Sequence, residues 1–240
     1  MTEDREPPGT QLTFGFPHEP TSGRDDFVVG RANAEAVALI EAMPDWPLRG
    51  VLLLGPEGSG KSHLVSIWSG FPGTAAIAAR DLVDEDVDRL TAGGAVAVED
   101  LQDGPVDERA LFHLLNLAYE RDARVLLTSR RPIAELGLTL PDLVSRLRAL
   151  QLVVLGAPDD ELLRRVLAKL FADRQVEVEP GVIAYVATRI ERSFASANRI
   201  VAALDRAALS GRRSVTRRLA GDVLGELGDE AQGDFFDGPA

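Results

Sequence analysis

The sequence predicts an α/β fold, in which a five-stranded parallel sheet with helices on both faces is followed by an all-α lid domain. Two observations carry this prediction. Between residues 27 and 156, five short apolar runs alternate with segments of helical periodicity, as in a parallel sheet covered on both sides. After Gly156-Ala157-Pro158 the strand-like runs stop, and each apolar segment has helical spacing.

These shifts divide the chain into four parts. We expect a flexible tail over 1–22, the sheet domain over 23–156, the helical lid over 157–228 and an acidic disordered tail over 229–240. The predicted strands are 51–54, 75–78, 95–98, 124–127 and 152–155. The predicted helices are 34–43, 61–68, 108–120, 159–172, 181–191, 194–209 and 216–227.

The composition excludes several classes of protein. Hydrophobic residues make up 45% of the chain, which is enough for a core. A net charge of −12 argues against nucleic-acid binding through the overall field, so any DNA contact needs a local basic patch. The absence of cysteine excludes disulfides and thiolate metal sites. No signal peptide or membrane-spanning run is evident, and we expect a cytoplasmic protein without a membrane partner.

A phosphate-binding motif, Gly-x-x-x-x-Gly-Lys-Ser, lies between the first predicted strand and the next helix. Its glycines let successive backbone N–H groups face phosphate oxygens, Lys61 supplies an ammonium group, and Ser62 offers a hydroxyl to Mg²⁺. The alternative is a glycine-rich turn with a chance lysine, which the strand–loop–helix context disfavours. The predicted nucleotide-binding residues here are Gly55, Pro56, Glu57, Gly58, Ser59, Gly60, Lys61, Ser62 and His63.

Two further strands end in polar residues. Glu99 and Asp100 close the third strand, where such proteins hold Mg²⁺ and orient the attacking water. We expect Glu99 to hold Mg²⁺ through water, together with Ser62, and Asp100 to polarise water or to report on the γ-phosphate. Thr128 and Ser129 close the fourth strand, and Thr128 or Ser129 is predicted to contact the γ-phosphate. The alternative for the acids is an ordinary start of a surface loop.

The order of these blocks resembles that of the DnaA family of AAA+ proteins. The resemblance rests on segments 27–33, 60–64, 99–102, 127–132, 143–147 and 192–194. It implies that ATP or ADP binds with Mg²⁺ between the sheet domain and the lid. It also implies that Arg192 reaches the nucleotide from the lid, and that Arg146 is an arginine finger acting in trans on a partner's nucleotide.

The chain differs from full initiators of that family, because nothing after the lid resembles their DNA-binding domain. It is more similar to the short regulators of the Hda type. That resemblance implies binding to the β sliding clamp and stimulation of ATP hydrolysis by DnaA, the regulatory inactivation of DnaA. Glu99 stands where the family commonly has Asp, and Arg130 where it often has a small acid or amide, which predicts weak intrinsic ATP hydrolysis.

A candidate clamp-binding peptide lies near the start of the chain, at Gln11, Leu12, Phe14 and Phe16. A glutamine followed by large apolar residues resembles the peptides that bacterial clamps accept in a groove. The alternative is a segment packed on its own core. A second glutamine-to-aromatic segment begins at Gln232 and ends at Phe236.

Several alternatives stay open at the level of sequence. The chain could be a stand-alone AAA+ ATPase or helicase loader, or a clamp-tethered scaffold that never acts on DnaA's nucleotide. The preferred nucleotide and a homodimer are not decided. A basic run near the last helix could contact DNA weakly, although a solvated helix start explains it as well. Its members are Arg212, Arg213, Arg217 and Arg218.

Overall fold

The computed structural model describes residues 23–24, 27–43, 45–46, 48–211 and 213–233, with side chains to 227. The strands are β1 (Gly50–Leu54), β2 (Thr74–Ala78), β3 (Ala95–Glu99), β4 (Arg124–Ser129) and β5 (Gln151–Val154). The first domain also contains α1 (Ala34–Glu41), α2 (Lys61–Ser69), α3 (Val87–Thr91), α4 (Glu108–Glu120) and α5 (Pro141–Arg148). The lid consists of α6 (Asp160–Asp173), α7 (Pro180–Ala187), α8 (Phe194–Gly211) and α9 (Arg217–Gly233).

The five strands form one parallel sheet in the order β2-β3-β4-β1-β5. Because side chains alternate along a strand, Val51 and Leu53 of β1 face α1 and α2, and Leu52 faces the opposite layer of α3, α4 and α5. All three side chains are buried. Because the strands are parallel, the carboxyl ends of β1, β3 and β4 lie at the same edge of the sheet, where the phosphate-binding motif begins.

The lid helices enclose a core of their own. Amphipathic faces of α6, α7, α8 and α9 pack together around Leu163, Phe171, Val186 and Leu204, which are fully or almost fully buried. Asp159 caps α6 by accepting a hydrogen bond from the Leu162 amide. The lid is thus a separate packed unit joined to the sheet domain.

The predicted fold class is confirmed, and the five strands lie within one residue or two of their predicted bounds. The last helix extends through Gly233 rather than ending near 227, and so enters the segment predicted to be a disordered tail. Glu230, Ala231 and Gln232 are good helix formers, in spite of Gly228 before them. An isolated parallel bridge between Val178 and Val215 lies within the lid, which we predicted to be purely helical. Among the described residues, the helices are too short or too polar to cross a bilayer.

Candidate nucleotide-binding site

The phosphate-binding loop curls between β1 and α2 as its glycines predict. Gly58 and Gly60 have φ angles of 68° and 96°, the left-handed region that suits glycine. A Cβ added at Gly58 would lie 2.9 Å from the Cβ of Ala195 on α8. The Phe194 amide donates a 2.8 Å hydrogen bond to the Gly58 carbonyl. The loop therefore lies directly against the first turn of a lid helix.

Lys61 lies at the start of α2 and is buried. Its Nζ donates to the carbonyls of Gly55 at 2.7 Å and Pro56 at 2.9 Å. The ammonium group therefore lies against the backbone of the loop. Burial lowers the pKa of Lys61, and the carboxylate of Asp100 opposes this effect. The side chain is well placed to neutralise phosphate oxygens brought into the loop.

The acidic end of β3 reaches the same place. The Ser62 hydroxyl hydrogen-bonds the Glu99 carboxylate, and burial raises the pKa of Glu99. The two predicted Mg²⁺ ligands therefore meet across the site. Within the described part of the chain, His, Cys, Asp and Glu form no group of three that could hold a metal. A Mg²⁺ ion here fits the usual pattern of one or two protein oxygens completed by phosphates and water.

Asp100 has a strained backbone, with φ at 58° in a residue other than glycine. Its amide donates a 2.9 Å hydrogen bond to the Thr128 hydroxyl, which is fully buried. The neighbouring Ser129 hydroxyl donates to the Arg131 carbonyl at 2.7 Å. Thr128 and Ser129 thus hold the ends of β3 and β4 and do not line the cavity.

A cavity of about 430 Å³ extends from the loop into the gap beneath the lid, a size typical of small-molecule sites. Its apolar end is formed by Phe27, Val28, Val166, Leu170 and Phe194. The Phe27 and His63 rings meet edge to face with centroids 4.9 Å apart. This end suits a flat heteroaromatic base, and the polar end at Lys61 suits phosphates.

Sequence reasoning predicted the residues at the polar end of the cavity but missed those at the apolar end. Phe27 and Val28 opened a segment noticed only for its family resemblance, and Val166 and Leu170 belong to a helix whose apolar face also forms the lid core. No local pattern separates apolar residues that line a cavity from those that fill a core. Their role depends on how the lid packs on the sheet domain.

Two predicted arginines lie outside the cavity. Arg192 is exposed and pairs with Asp160 of α6, with Nη2 and Oδ1 2.7 Å apart. Arg146 is exposed on α5, and its guanidinium lies 5.7 Å from the centre of the Tyr119 ring. Arg146 lines a separate groove with Gly50 and Val125, at the amino ends of β1 and β4 and hence at the sheet edge opposite the phosphate-binding loop.

The structure describes only some residues of the predicted basic run and of the two candidate clamp-binding peptides. Arg213, Arg217 and Arg218 are exposed on the lid, around the start of α9, and Arg217 donates to the Gly181 carbonyl at 3.2 Å. Arg212 lies outside the described residues. So do Gln11, Leu12, Phe14 and Phe16 of the candidate clamp-binding peptide, and Phe235 and Phe236 of the second one. The side chain of Gln232 is likewise not described.

Comparison with known proteins shows which proteins the chain resembles. No protein-family model matches the chain. The chromosomal replication initiator protein DnaA of Cutibacterium acnes is 26% identical over 196 residues, covering 71% of this chain. The chain spans 39% of that relative's length. Domain III of the Thermotoga maritima replication initiation protein DnaA matches with a TM-score of 0.74 at 19% identity, covering 88% of this chain and 98% of that domain.

The chain is thus similar to DnaA and has the AAA+ fold. Two further solved structures share its fold. AMPPCP-bound DnaA from Aquifex aeolicus has a TM-score of 0.66 at 21% identity, covering 80% of this chain and 67% of that one. The Thermotoga maritima RuvB Holliday junction branch migration motor has a TM-score of 0.66 at 19% identity, covering 87% and 72%. The fold is therefore shared by AAA+ proteins of different activity, and the site must carry the functional argument.

Proposed function

We propose that this DnaA-related protein binds ATP or ADP with Mg²⁺ in the cavity between the sheet domain and the lid. The base lies at the apolar end beside Phe27 and Leu170. The phosphates lie over the glycine-bearing loop, where backbone N–H groups and Lys61 neutralise their charge. Ser62 and Glu99 hold Mg²⁺ directly or through water. What supports this is the meeting of loop, acids and apolar cleft in one cavity.

We propose further that the chain is a regulator of the Hda type, which binds the β sliding clamp and stimulates ATP hydrolysis by DnaA. The observation that carries this proposal is the position of Arg146. Five residues of β1 separate its groove from the phosphate-binding loop, a distance of roughly 15 Å. An exposed arginine there is out of reach of its own nucleotide but free to enter a neighbouring subunit's site.

The chemistry expected of such an arginine is well defined. As phosphoryl transfer proceeds, negative charge is spread over the oxygens of the γ-phosphate, and a planar guanidinium neutralises it through parallel hydrogen bonds. In GTPases an arginine supplied by another protein is worth about 10³–10⁵ in rate. One residue is therefore enough to account for a regulatory effect on a partner that hydrolyses ATP slowly by itself.

Clamp binding is assigned to the N-terminal peptide Gln11, Leu12, Phe14 and Phe16. Gln11 supplies hydrogen bonds, and the three apolar side chains enter the hydrophobic part of a clamp groove. The test is surface plasmon resonance with immobilised clamp. We expect Gln11→Ala to lose at least about tenfold in affinity, and Gln232→Ala to bind as wild type. The reverse pattern would assign clamp binding to the second peptide.

The function as a whole is tested by following labelled ATP preloaded on the cognate DnaA. The mixture contains DNA-loaded clamp, with and without this protein, in ADP and in ATP. We expect clamp-dependent acceleration of hydrolysis. Folded, clamp-bound protein that leaves the hydrolysis rate unchanged would refute the regulatory mechanism and leave a clamp-tethered scaffold.

The structural likeness to a RuvB motor favours a second candidate, a stand-alone ATPase. Intrinsic turnover separates the two proposals. A regulator needs a bound nucleotide rather than fast hydrolysis, so steady-state turnover without DnaA is expected to stay well below the roughly 1–10³ s⁻¹ typical of enzymes. Turnover within that range, abolished by Glu99→Gln, would favour the motor.

A further inference from the structure

Arg130 joins two sides of the phosphate end of the cavity. It follows β4 directly, and its Nη1 donates to Oε2 of Glu57 in the phosphate-binding loop at 2.7 Å. Its Nη2 pairs with Asp103, which follows the acidic end of β3. Arg130, Glu57 and Asp103 all line the cavity together with Lys61 and Asp100. The guanidinium thus lies beside the loop that we expect to hold phosphates.

The charges at this end are unusual for a phosphate site. The cations Lys61 and Arg130 share it with three carboxylates, those of Glu57, Asp100 and Asp103. A nucleoside triphosphate with its Mg²⁺ still brings net negative charge, so repulsion from these carboxylates opposes its binding less when a protein cation turns towards it. Lys61 donates to two carbonyls of the loop, and Arg130 is the second cation held by a loop residue. The other cations that line the cavity, Lys169 and Arg174, belong to the end of α6 in the lid.

The ion pairs of Arg130 are easily exchanged. Its side chain is 35% exposed and that of Glu57 is 78% exposed, and exposed ion pairs contribute little to stability. A guanidinium has five N–H donors in a planar fork that matches phosphate oxygens. A phosphate between Arg130 and Lys61 lies in a more enclosed site, where charge-assisted hydrogen bonds are stronger.

We propose that Arg130 is a phosphate-binding residue that favours nucleoside triphosphate over diphosphate, and that Glu57 competes with the terminal phosphate for its guanidinium. The inference rests on the nucleotide-binding part of the proposed function but not on the action upon DnaA. It makes Glu57 a residue that weakens triphosphate binding, and the pair sets which nucleotide the protein retains. Arg130 is thereby a specificity-determining residue of the cavity.

The test is calorimetric titration of the full-length protein with Mg²⁺-AMPPCP and with Mg²⁺-ADP. We expect Arg130→Gln to weaken AMPPCP binding at least about tenfold while ADP binding changes less than about twofold. We expect Glu57→Gln to strengthen AMPPCP binding. Arg131→Gln is the matched control, because Arg131 is an exposed neighbour that does not line the cavity. It should change neither value.

The double variant Glu57→Gln/Arg130→Gln separates phosphate binding from mere neutralisation of Glu57. If Arg130 binds phosphate, the double variant stays as weak for AMPPCP as Arg130→Gln alone. If Arg130 only neutralises Glu57, the double variant returns to wild-type affinity, and the inference is overturned. Equal losses for both nucleotides in Arg130→Gln would overturn it as well.

Three further measurements decide between the possible outcomes. Wild-type protein that binds neither nucleotide would refute nucleotide binding itself, and this inference with it. ADP binding with an unchanged AMPPCP-to-ADP ratio in Arg130→Gln would refute this inference alone. If Arg130→Gln lowers the thermal unfolding midpoint, Arg130→Lys replaces it, since lysine keeps the charge and loses the fork. It should then show a smaller loss for AMPPCP in the same direction.

Discussion

Thr128 shows how one buried hydroxyl can fix the backbone of a residue that lines the cavity. The sequence predicted that Thr128 or Ser129 contacts the γ-phosphate, whereas in the structure Thr128 is buried and accepts a hydrogen bond from the Asp100 amide. That bond stabilises a left-handed backbone that Asp100 does not favour by itself. Thr128 is therefore a positioning residue, which acts by directing the end of β3 towards the cavity.

Replacing Thr128 with Val tests this role, because valine keeps the shape and removes the hydroxyl. The Asp100 amide then lacks its acceptor, and we expect the free energy of unfolding to fall by about 1–2 kcal/mol in urea denaturation. The AMPPCP-to-ADP affinity ratio should stay within about twofold of wild type, and Thr128→Ser should restore stability. A collapsed ratio with unchanged stability would instead assign Thr128 to the γ-phosphate.

Lys61 allows a second residue-level prediction. Its ammonium group is the cation held within the loop, and each charge-assisted hydrogen bond to a phosphate is worth about 1.5–3 kcal/mol. We expect Lys61→Ala to weaken binding of both ADP and AMPPCP by about 10- to 100-fold. Fluorescence titration with a labelled nucleotide measures this. Equal loss for the two nucleotides distinguishes Lys61 from Arg130, and unchanged affinity would contradict the assignment of the loop.

Among the elements, α5 carries Arg146, and Glu108 of α4 connects the two helices. Glu108 lies in the first turn of α4, and its carboxylate accepts hydrogen bonds from the amides of Thr139 and Leu140 at 2.6–3.0 Å. Leu140 directly precedes α5. These bonds, led by the one from the Thr139 backbone, lower the pKa of Glu108. The orientation of α5 therefore depends on an ionised carboxylate.

We expect Glu108→Ala to destabilise the protein by about 1–2 kcal/mol at pH 7. The folded pKa is depressed, so this stability is present above the unfolded pKa of about 4.3 and is lost as pH falls through the folded pKa. The difference between wild type and variant should hence shrink only below about pH 4.3. Urea denaturation at several pH values measures it, and a difference that shrinks between pH 8 and 6 would contradict this origin.

Tyr119, at the exposed end of α4, positions Arg146 more directly. Its ring lies under the guanidiniums of Arg49 at 4.7 Å and Arg146 at 5.7 Å. We expect Tyr119→Ala to reduce stimulation of DnaA about two- to fivefold, because an exposed cation–π contact is worth about 0.5–1 kcal/mol. Tyr119→Phe keeps the ring and should stimulate as wild type. Equal loss in both variants would point to the hydroxyl rather than to the stacking.

Most of the elements could be predicted from sequence because they depend on local patterns, although the short helices α3 and α5 were not among the predicted ones. Buried parallel strands are apolar runs, as in Val51 to Leu54, and α4 carries an apolar face together with the capping residue Asp107. The pairing of polar side chains could not be predicted in this way. Arg130 meets Glu57 across 73 residues, and Arg192 turns to Asp160 rather than to the cavity. Such contacts depend on how the loops and the lid pack.

Across the whole molecule, the lid and the phosphate-binding loop are joined at Gly58. The Phe194 amide bonds its carbonyl, and α8 packs so close that a Cβ at Gly58 would collide with Ala195. The position of the lid is therefore linked to the shape of the loop. Nucleotide binding to the loop and closure of the cavity by the lid should depend on each other.

Gly58→Ala tests this link. The side chain meets both a strained φ of 68° and the first turn of α8, so we expect a loss of about 1–2 kcal/mol in stability and weaker ADP binding. Gly225→Ala is the control, since it lies in α9 with open space around it. It should be neutral or slightly stabilising. Weaker ADP binding in both variants would show that the loss does not come from the contact between the lid and the loop.

For the whole molecule, we propose that Arg146 acts on the nucleotide bound to a partner and not on the nucleotide bound to its own chain. The deciding measurement is the rate of hydrolysis of labelled ATP preloaded on DnaA, with DNA-loaded clamp and wild-type, Arg146→Ala or Arg148→Ala protein. Arg148 is also exposed on α5 and serves as the control. We predict that Arg146→Ala abolishes stimulation while clamp and nucleotide binding are kept, and that Arg148→Ala stimulates normally. Full stimulation by Arg146→Ala would contradict the claim.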